Sequence, residues 1–337
     1  MSTLYLTQQG ASLHKDHGRF LIHNADRSET EVPIHEIQRI LVFGNVQLTS
    51  SVIATCLAAN IPVVFLSQSG NYKGHLWSAE HQDFNVESAQ FQHWCDDTFQ
   101  IQVAKEMVYG KLWNSKQLLL KLNRKHKDME VYRAIADISH AMLKIEPLDQ
   151  IDQLNTLRGH EGSAAVRYFA GLGRLMTNDD FSLTGRSRRP PTDPVNSLLS
   201  FGYTLLFKNV LSLLLAEGLN PHLGNLHRSD RNEPHLAFDL MEEFRSPIID
   251  TLIIQVLNQR VFRLDDFQAP NEEGGVYLTD AGRRKFLKHV ENRFCTQTSH
   301  PDVKHQVDYR RVIQLQIQRY KRTLLSGTPY HAYRRET

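Results

Sequence analysis

The stretch IQVAKEMVYGKLWNSKQLLLKL, residues 101–122, decides how the chain divides. Ile101, Met107, Val108, Leu112, Leu118, Leu119 and Leu122 recur at helical spacing, so the run predicts one long amphipathic helix. The same period continues downstream. Residues 131–143 predict a second helix that stops at Pro147, and further helices are expected over 154–176, 194–217, 234–257, 280–294 and 309–326. Asp193-Pro194 and Thr279-Asp280 suit helix starts, and Gly218 and Gly327 suit helix stops. Upstream the pattern changes. Residues 4–6, 20–22, 40–43 and 63–66 are short apolar or β-branched runs between turn residues, and 74–77 suggests a late strand. One helix interrupts them at 52–59, with Thr49-Ser50-Ser51 placed to cap it and Ile61-Pro62 to end it. The expected class is therefore α+β, with a small β-rich N-terminal domain at 1–92, an all-α domain at 93–330 and a C-terminal tail at 331–337.

A chain of 337 residues suits about two domains. Apolar residues at 41% and charged residues at 23% are ordinary globular usage, which argues against a disordered protein. No segment approaches about 18 uncharged apolar residues, and no basic region followed by an apolar one opens the sequence, so a cytoplasmic protein without a membrane partner is expected. Cys56, Cys95 and Cys295 form no CxxC pair, which disfavours a disulfide framework or a cysteine zinc site and leaves buried reduced thiols as the simple expectation. The net charge of +2 hides two basic tracts. Lys105, Lys111, Lys116, Lys121, Arg124, Lys125 and Lys127 face only Glu106 in the first, and Lys304, Arg310, Arg311, Arg319, Lys321, Arg322, Arg334 and Arg335 face only Asp308 in the second. Such tracts suit a DNA footprint or a solvated helix face. Residues 184–191, Thr-Gly-Arg-Ser-Arg-Arg-Pro-Pro, are too polar and proline-broken for a core and read as an exposed loop, mobile until something anionic binds.

Chemistry concentrates in Gly224-Asn225-Leu226-His227 and in Asp239-Leu240-Met241-Glu242-Glu243-Phe244-Arg245. Carboxylate oxygen suits hard divalent cations and imidazole is tolerated by manganese, so His227 and Glu242 with one more carboxylate suit a catalytic metal. Glu161 is the candidate, on a helical face shared with Ala164, Ala165 and Tyr168. Leu236, Leu240, Phe244, Ile248 and Leu252 form the expected buried stripe of the 234–257 helix, and Asp239, Glu242, Ser246 and Asp250 follow beside it. Blander readings stay open. Glu242 suits an Arg245-paired helix glutamate, Glu161 a solvated one, and His227 a hydrogen-bonded loop histidine; His222, His227 and His235 also suit a histidine-rich zinc site, although their spacing fits no HExxH pattern.

Taken in order, His160-Glu161-Gly162-Ser163-Ala164-Ala165-Val166-Arg167-Tyr168-Phe169, then Asp193-Pro194-Val195-Asn196-Ser197-Leu198-Leu199-Ser200-Phe201-Gly202-Tyr203, the Gly218 to His227 segment and the Phe238 to Asp250 segment resemble the CRISPR adaptation endonuclease/integrase family across nearly the whole chain. The resemblance implies a β-rich, dimerising N-terminal domain and a helical catalytic domain. It also implies that Glu161, His227 and Glu242 are the catalytic metal ligands for Mg²⁺ or Mn²⁺. Asn196 and Arg245 would then orient phosphate oxygens or the carboxylates, Asp239 would steady the ligands, and Arg186, Arg188 and Arg189 would meet DNA. The implied activity is cleavage and joining of double-stranded DNA, spacer precursor into CRISPR repeat, by attack of a 3′-hydroxyl on a phosphodiester. The implied partners are a second copy of the chain and a small ferredoxin-like companion protein. Asn225 departs from the family pattern, standing where many relatives carry a bulkier apolar residue. The competing functions are a non-catalytic DNA-binding scaffold and a zinc hydrolase built on His222, His227 and His235.

Overall fold

The apolar run at 40–43 ends the strand Ile37–Phe43 in a computed structural model of the chain, which describes residues 2–25, 28–67, 72–76, 84–227 and 233–335. The chain separates into two units, residues 1–87 with 211–220 and residues 88–210 with 221–337.

In the first unit, strands β1 (Ser2–Leu6), β5 (Ile37–Phe43), β7 (Val63–Leu66) and β8 (Tyr72–His75) form one sheet in that order, the first three parallel and the last antiparallel. Strands β4 (Glu29–Pro33), β3 (Arg19–His23), β2 (Ser12–Asp16) and β6 (Gln47–Leu48) form a second. Parallel β5 and β7 need a crossover between them, and helix α1 (Ser50–Ala58) supplies it. Leu6, Leu13, Phe20, Ile40, Val42, Val52, Cys56 and Val63 close the core. Arg39 of β5 is buried and donates to Ser212 Oγ at 3.0 Å, which ties residues 211–220 to this unit.

The expected strands and helix are present, with three additions, β2, β4 and the two-residue β6. β2 carries a single fully buried side chain, Leu13, and β4 is an edge strand whose first three residues are exposed, so neither has the apolar run that announces a strand. The late strand begins at Tyr72, and Trp77 lies outside the described residues. Thr49 occupies the N-cap position of α1, but its hydroxyl meets Ser51 Oγ at 3.1 Å and not a helix N–H. Only Cys56 is a buried thiol. Cys95 and Cys295 are exposed, each just past the end of a helix, which corrects the expectation for those two.

The second unit is helical. α2 (Phe84–Trp94) leads into α3 (Asp97–His126), whose N-cap Asp96 accepts from the Thr98 and Phe99 N–H groups and whose C-cap Lys127 turns left-handed. α4 (Met129–Ile145) and α5 (Leu154–Gly173) pack on α3, where Gly171 brings α5 against Ala134 and Leu119. α6 (Pro194–Ala216) follows, with Asp193 accepting the Asn196 N–H at 2.8 Å at its start. By length and composition α6 is apolar enough to cross a membrane, but 78% of that window is buried in protein, as in a core helix. α9 (Asp280–Phe294) and α10 (Tyr309–Ser326) flank a short β9 (Gln297–Thr298) and β10 (Val307–Asp308) ladder, and α10 stops at left-handed Gly327.

The helix expected over 234–257 is not continuous. α7 (His235–Met241) tightens into a 3₁₀ turn at Glu242–Phe244, widens into a π turn at Arg245–Asp250, and resumes as α8 (Thr251–Asn258). Pro247 has no N–H, so an unbroken α-helical ladder is unavailable there. The predicted apolar stripe is buried throughout, and so are Asp239, Glu242, Ser246 and Asp250. Residues 330–335, mostly within the expected tail, pack against α3 and the Glu242 turn; residues 336–337 lie outside the described residues.

Candidate active site

Glu161 on α5 and Glu242 on the 3₁₀ turn come together around one cation. Lys111 of α3 pairs with a Glu161 oxygen and stands 2.7 Å from Glu242 Oε2. The second contact is off hydrogen-bond geometry, so buried Oε2 has an ion contact without a hydrogen bond. The other Glu242 oxygen pairs with Arg245 at 2.8 Å, and the Arg245 guanidinium lies over the Tyr203 ring at 4.6 Å. Burial alone would raise the Glu242 pKa, but the charges of Arg245 and Lys111 outweigh it and hold the carboxyl at about 2. Glu242 is arginine-paired, and it is an ionised carboxylate in a buried site.

His227 is fixed from behind. Asp239, with no exposed surface, accepts the backbone N–H groups of Asn225 (2.6 Å), Leu226 (2.8 Å) and His227 (3.0 Å), and its Oδ1 lies 2.6 Å from His227 Nδ1. Gly224 permits this approach, because a Cβ there would sit 2.6 Å from His235 Cβ and 3.0 Å from Asp239 Oδ2. Asn225, the departure from the family pattern, is buried and donates to the Tyr320 hydroxyl at 3.1 Å, anchoring the loop to α10. Burial lowers the His227 pKa, yet the Asp239 hydrogen bond and charge, with Glu242 behind them, more than reverse this and leave it raised. As placed, however, no three His, Cys, Asp or Glu side chains among the described residues stand close enough to hold a metal ion, and the His222, His227 and His235 zinc set is not assembled either.

Asp250 sits below this layer. It accepts from the Tyr168 hydroxyl of α5 and the Tyr203 hydroxyl of α6, both at 2.6 Å, and burial pushes its carboxyl up to about 6. Lys111, Tyr168, Arg188, Tyr203, Arg245 and Asp250 line a small cavity.

The basic loop is not free. Asn196, 1% exposed, donates to Gly185 C=O at 2.9 Å and to Asp193 Oδ2 at 2.6 Å, while its oxygen accepts the Arg186 guanidinium (2.8 Å) and the Ser187 N–H (3.1 Å). Asn196 therefore holds the loop, with both its amide hydrogens and its oxygen engaged within the protein. Arg186 donates to Ser200 Oγ at 3.0 Å and lies over Tyr203, so only Arg188 and Arg189 of the three arginines are exposed. Sequence reasoning missed Lys111 as a site residue. Its only signal was membership of a basic helical tract, which does not separate it from Lys116 or Lys125.

The family description "CRISPR associated protein Cas1" matches residues 4–292. The chain belongs to the Cas1 family. The resemblance read from the Glu161, Asn196, His227 and Glu242 segments is borne out. Among Cas1 relatives, the "CRISPR-associated endonuclease Cas1 1" of Thermus thermophilus is 33% identical over 98% of this chain and 100% of its own length. A "CRISPR-associated exonuclease Cas4/endonuclease Cas1 fusion" of Geobacter sulfurreducens is 32% identical over 97% of this chain, which spans 59% of that longer protein. Among solved structures, a casposase bound to integration product superposes with a TM-score of 0.83 at 23% identity, covering 98% of this chain and 93% of the other. A Cas6-RT-Cas1–Cas2 complex gives 0.84 at 22% identity over 100% of this chain and 36% of the other. At these identities the likeness to the solved structures is one of fold.

Proposed function

We propose that this Cas1 family member is a metal-dependent DNA endonuclease and integrase of CRISPR adaptation, with Glu161, His227 and Glu242 as its catalytic metal ligands. The observation that carries this is the convergence of two carboxylates from separate elements on the Lys111 ammonium; the His227 imidazole is braced separately by Asp239.

In donor chemistry Glu161, His227 and Glu242 suit a divalent cation, which would have to take the place of Lys111 and draw His227 in, since the three side chains are not gathered as they stand. The space between Glu161 and Glu242 already takes a positive charge, Glu242 is ionised far below neutral pH, and its Oε2 lacks a hydrogen bond. Asp239 occupies His227 Nδ1, which leaves Nε2 as the ring's donor atom, the carboxylate–histidine arrangement usual behind metal ligands. Two carboxylates and one imidazole suit Mg²⁺ or Mn²⁺ better than zinc sites rich in thiolate or histidine. When bound, the ion supplies Lewis-acid activation of the attacking oxygen and offsets charge on the phosphate and the leaving oxygen.

The chain's own groups do the rest. Arg245 and Lys111 bring two cations to the carboxylates, and exposed Arg188 on the neighbouring loop is suited to a non-reacting phosphate. In strand transfer a 3′-hydroxyl of the spacer precursor loses its proton, forms a new P–O bond at a repeat phosphodiester and expels the 3′-oxygen of the repeat strand. Water in place of the hydroxyl gives hydrolysis at the same site, and neither route requires a nucleophilic side chain. The β-rich segment 1–92 is proposed as the dimerising part and 93–330 as the catalytic part. A relative solved in a Cas1–Cas2 complex supports a small companion protein as partner, and a fold neighbour solved on an integration product supports double-stranded DNA as substrate.

The test uses purified protein, a repeat-containing plasmid and short duplex DNA with Mg²⁺ or Mn²⁺. Parent protein joins or cleaves DNA, and Glu161→Ala, His227→Ala and Glu242→Ala each lower the rate at least about a hundredfold while the protein stays folded. Undiminished activity in all three variants would sink the site assignment. Salt-sensitive DNA binding without metal-stimulated strand transfer in the parent would favour a scaffold.

A further inference from the structure

The turn that carries Glu242 is held from a direction the sequence does not suggest. In an unbroken helix the Glu243 carbonyl would bond the N–H of residue 247, but residue 247 is proline. Asn114 of α3 supplies the donor, its Nδ2 lying 2.8 Å from Glu243 O and 2.8 Å from Tyr333 O. The Asn114 oxygen accepts the Arg335 N–H at 2.8 Å. The Glu243 side chain, with no exposed surface, accepts from the Tyr330 hydroxyl and, at 2.6 Å, from the Tyr333 N–H. Tyr333 stacks on Phe244 at 5.4 Å, and Gln316 of α10 donates to the Tyr330 hydroxyl and to His331 O. Every one of these contacts falls on residues 242–244 or on the 330–335 segment that covers them, which lies beyond the residues matched by the family description.

We propose that residues 330–335 form a strap that positions the Glu242 turn for metal binding, with Asn114, Glu243 and Tyr330 as positioning residues. The proposal rests on the metal-site assignment above and deepens it. The physical reason is that a 3₁₀ turn feeding a π turn leaves backbone groups that the helix itself cannot satisfy. A buried carbonyl or carboxylate without a donor is costly, so the turn keeps this shape only while Asn114 and the strap supply donors. Partners that orient metal ligands typically contribute about 10–100-fold in metal affinity.

Gly110 offers a specific way to lift the strap without cutting it. A Cβ at Gly110 would lie 2.5 Å from Ala332 Cβ, while the next two atoms, Glu243 Cγ and Tyr333 O, lie at 3.5 Å, ordinary contact. Gly110→Ala and Gly110→Val push Ala332 off α3, and adding Ala332→Gly to Gly110→Ala removes the clash. The measurements are Mn²⁺ affinity of metal-free, full-length protein by electron paramagnetic resonance, hydrogen exchange over 330–335, and melting. Gly110→Ala and Asn114→Ala are expected to stay folded, lose exchange protection over the strap and bind Mn²⁺ about tenfold or more weakly. The Gly110→Ala/Ala332→Gly protein returns to within about twofold of the parent. Parental Mn²⁺ affinity in a variant whose strap has lost protection overturns the proposal. So does failure of the double variant to recover, or a strap that stays protected in Gly110→Val. Glu242→Ala is measured alongside: if it too keeps parental Mn²⁺ affinity, the metal-site assignment has failed and not the strap alone.

Discussion

Asp239 shows how one buried carboxylate can orient both a loop and an imidazole. It receives three backbone N–H groups and the His227 ring, so loop 225–227 and the imidazole are oriented by the same two oxygens. Asp239→Asn keeps the volume but turns an NH₂ group toward donors. At least one backbone N–H loses its acceptor at about 1–3 kcal/mol, and metal affinity falls roughly 10–100-fold. Melting and Mn²⁺ titration of the variant check this, and unchanged Mn²⁺ affinity would remove Asp239 from the site. The sequence made Asp239 and Glu242 legible because they sit three apart in a recognisable motif beside an apolar stripe. It could not make Lys111 legible, since that lysine gains its meaning from Glu161 and Glu242, which are 50 and 131 positions away along the chain. Asn196 shows the same limit. Its place in the motif suggested phosphate oxygens or carboxylates, and the sequence did not show that its side chain makes four hydrogen bonds, to Asp193, Gly185, Arg186 and Ser187.

At the scale of elements, the 234–257 segment shows where periodicity stops being informative. Leu236, Leu240, Phe244, Ile248 and Leu252 predict a helix and are all buried, but the interruption depends on Pro247 and on what Asn114 and Asp250 offer from outside the stripe. Asp250 ties the π turn to α5 through Tyr168 and to α6 through Tyr203. Burial raises its carboxyl to about 6, and the two tyrosine bonds only partly oppose that shift. The sign follows directly. An acid with a raised folded pKa binds its proton more tightly in the folded state, so the folded protein loses stability as pH rises from about 4 to about 6 and keeps the full penalty above that. The size is on the order of 3 kcal/mol for a shift of this kind in a fully buried group. Asp250→Asn removes the titration. Denaturant unfolding at several pH values is expected to show the variant gaining on the parent between about pH 4 and 6 and holding a constant offset above. A flat difference across that window would mean that Asp250 ionises normally in the fold.

Over the whole molecule, six cations of the two basic tracts have partners within the fold. Lys105 caps the end of α4 through Glu146 O and Leu148 O, Lys111 serves the carboxylates, and Arg310 pairs with Glu291. Arg319 and Arg322 share Asp302, and Arg334 pairs with Glu106. These cations are committed to the fold, and charge counting along the sequence cannot separate them from cations facing solvent. Arg188 and Arg189, by contrast, are exposed on a loop whose backbone is fixed by Asn196, so their charge is presented without the cost of ordering a free loop. Each phosphate neutralised on duplex DNA contributes about 0.9 to the slope of log affinity against log salt. Arg188→Ala/Arg189→Ala is therefore expected to reduce that slope by about 1.8 with little change in melting temperature. Arg319→Ala/Arg322→Ala should leave the slope within about 0.5 of the parent and lower the melting temperature, because it strands Asp302. Fluorescence anisotropy with a labelled duplex across a salt series measures both. Equal loss of slope in the two double variants would show that the committed cations also reach DNA, and an unchanged slope in the loop variant would remove Arg188 and Arg189 from the footprint.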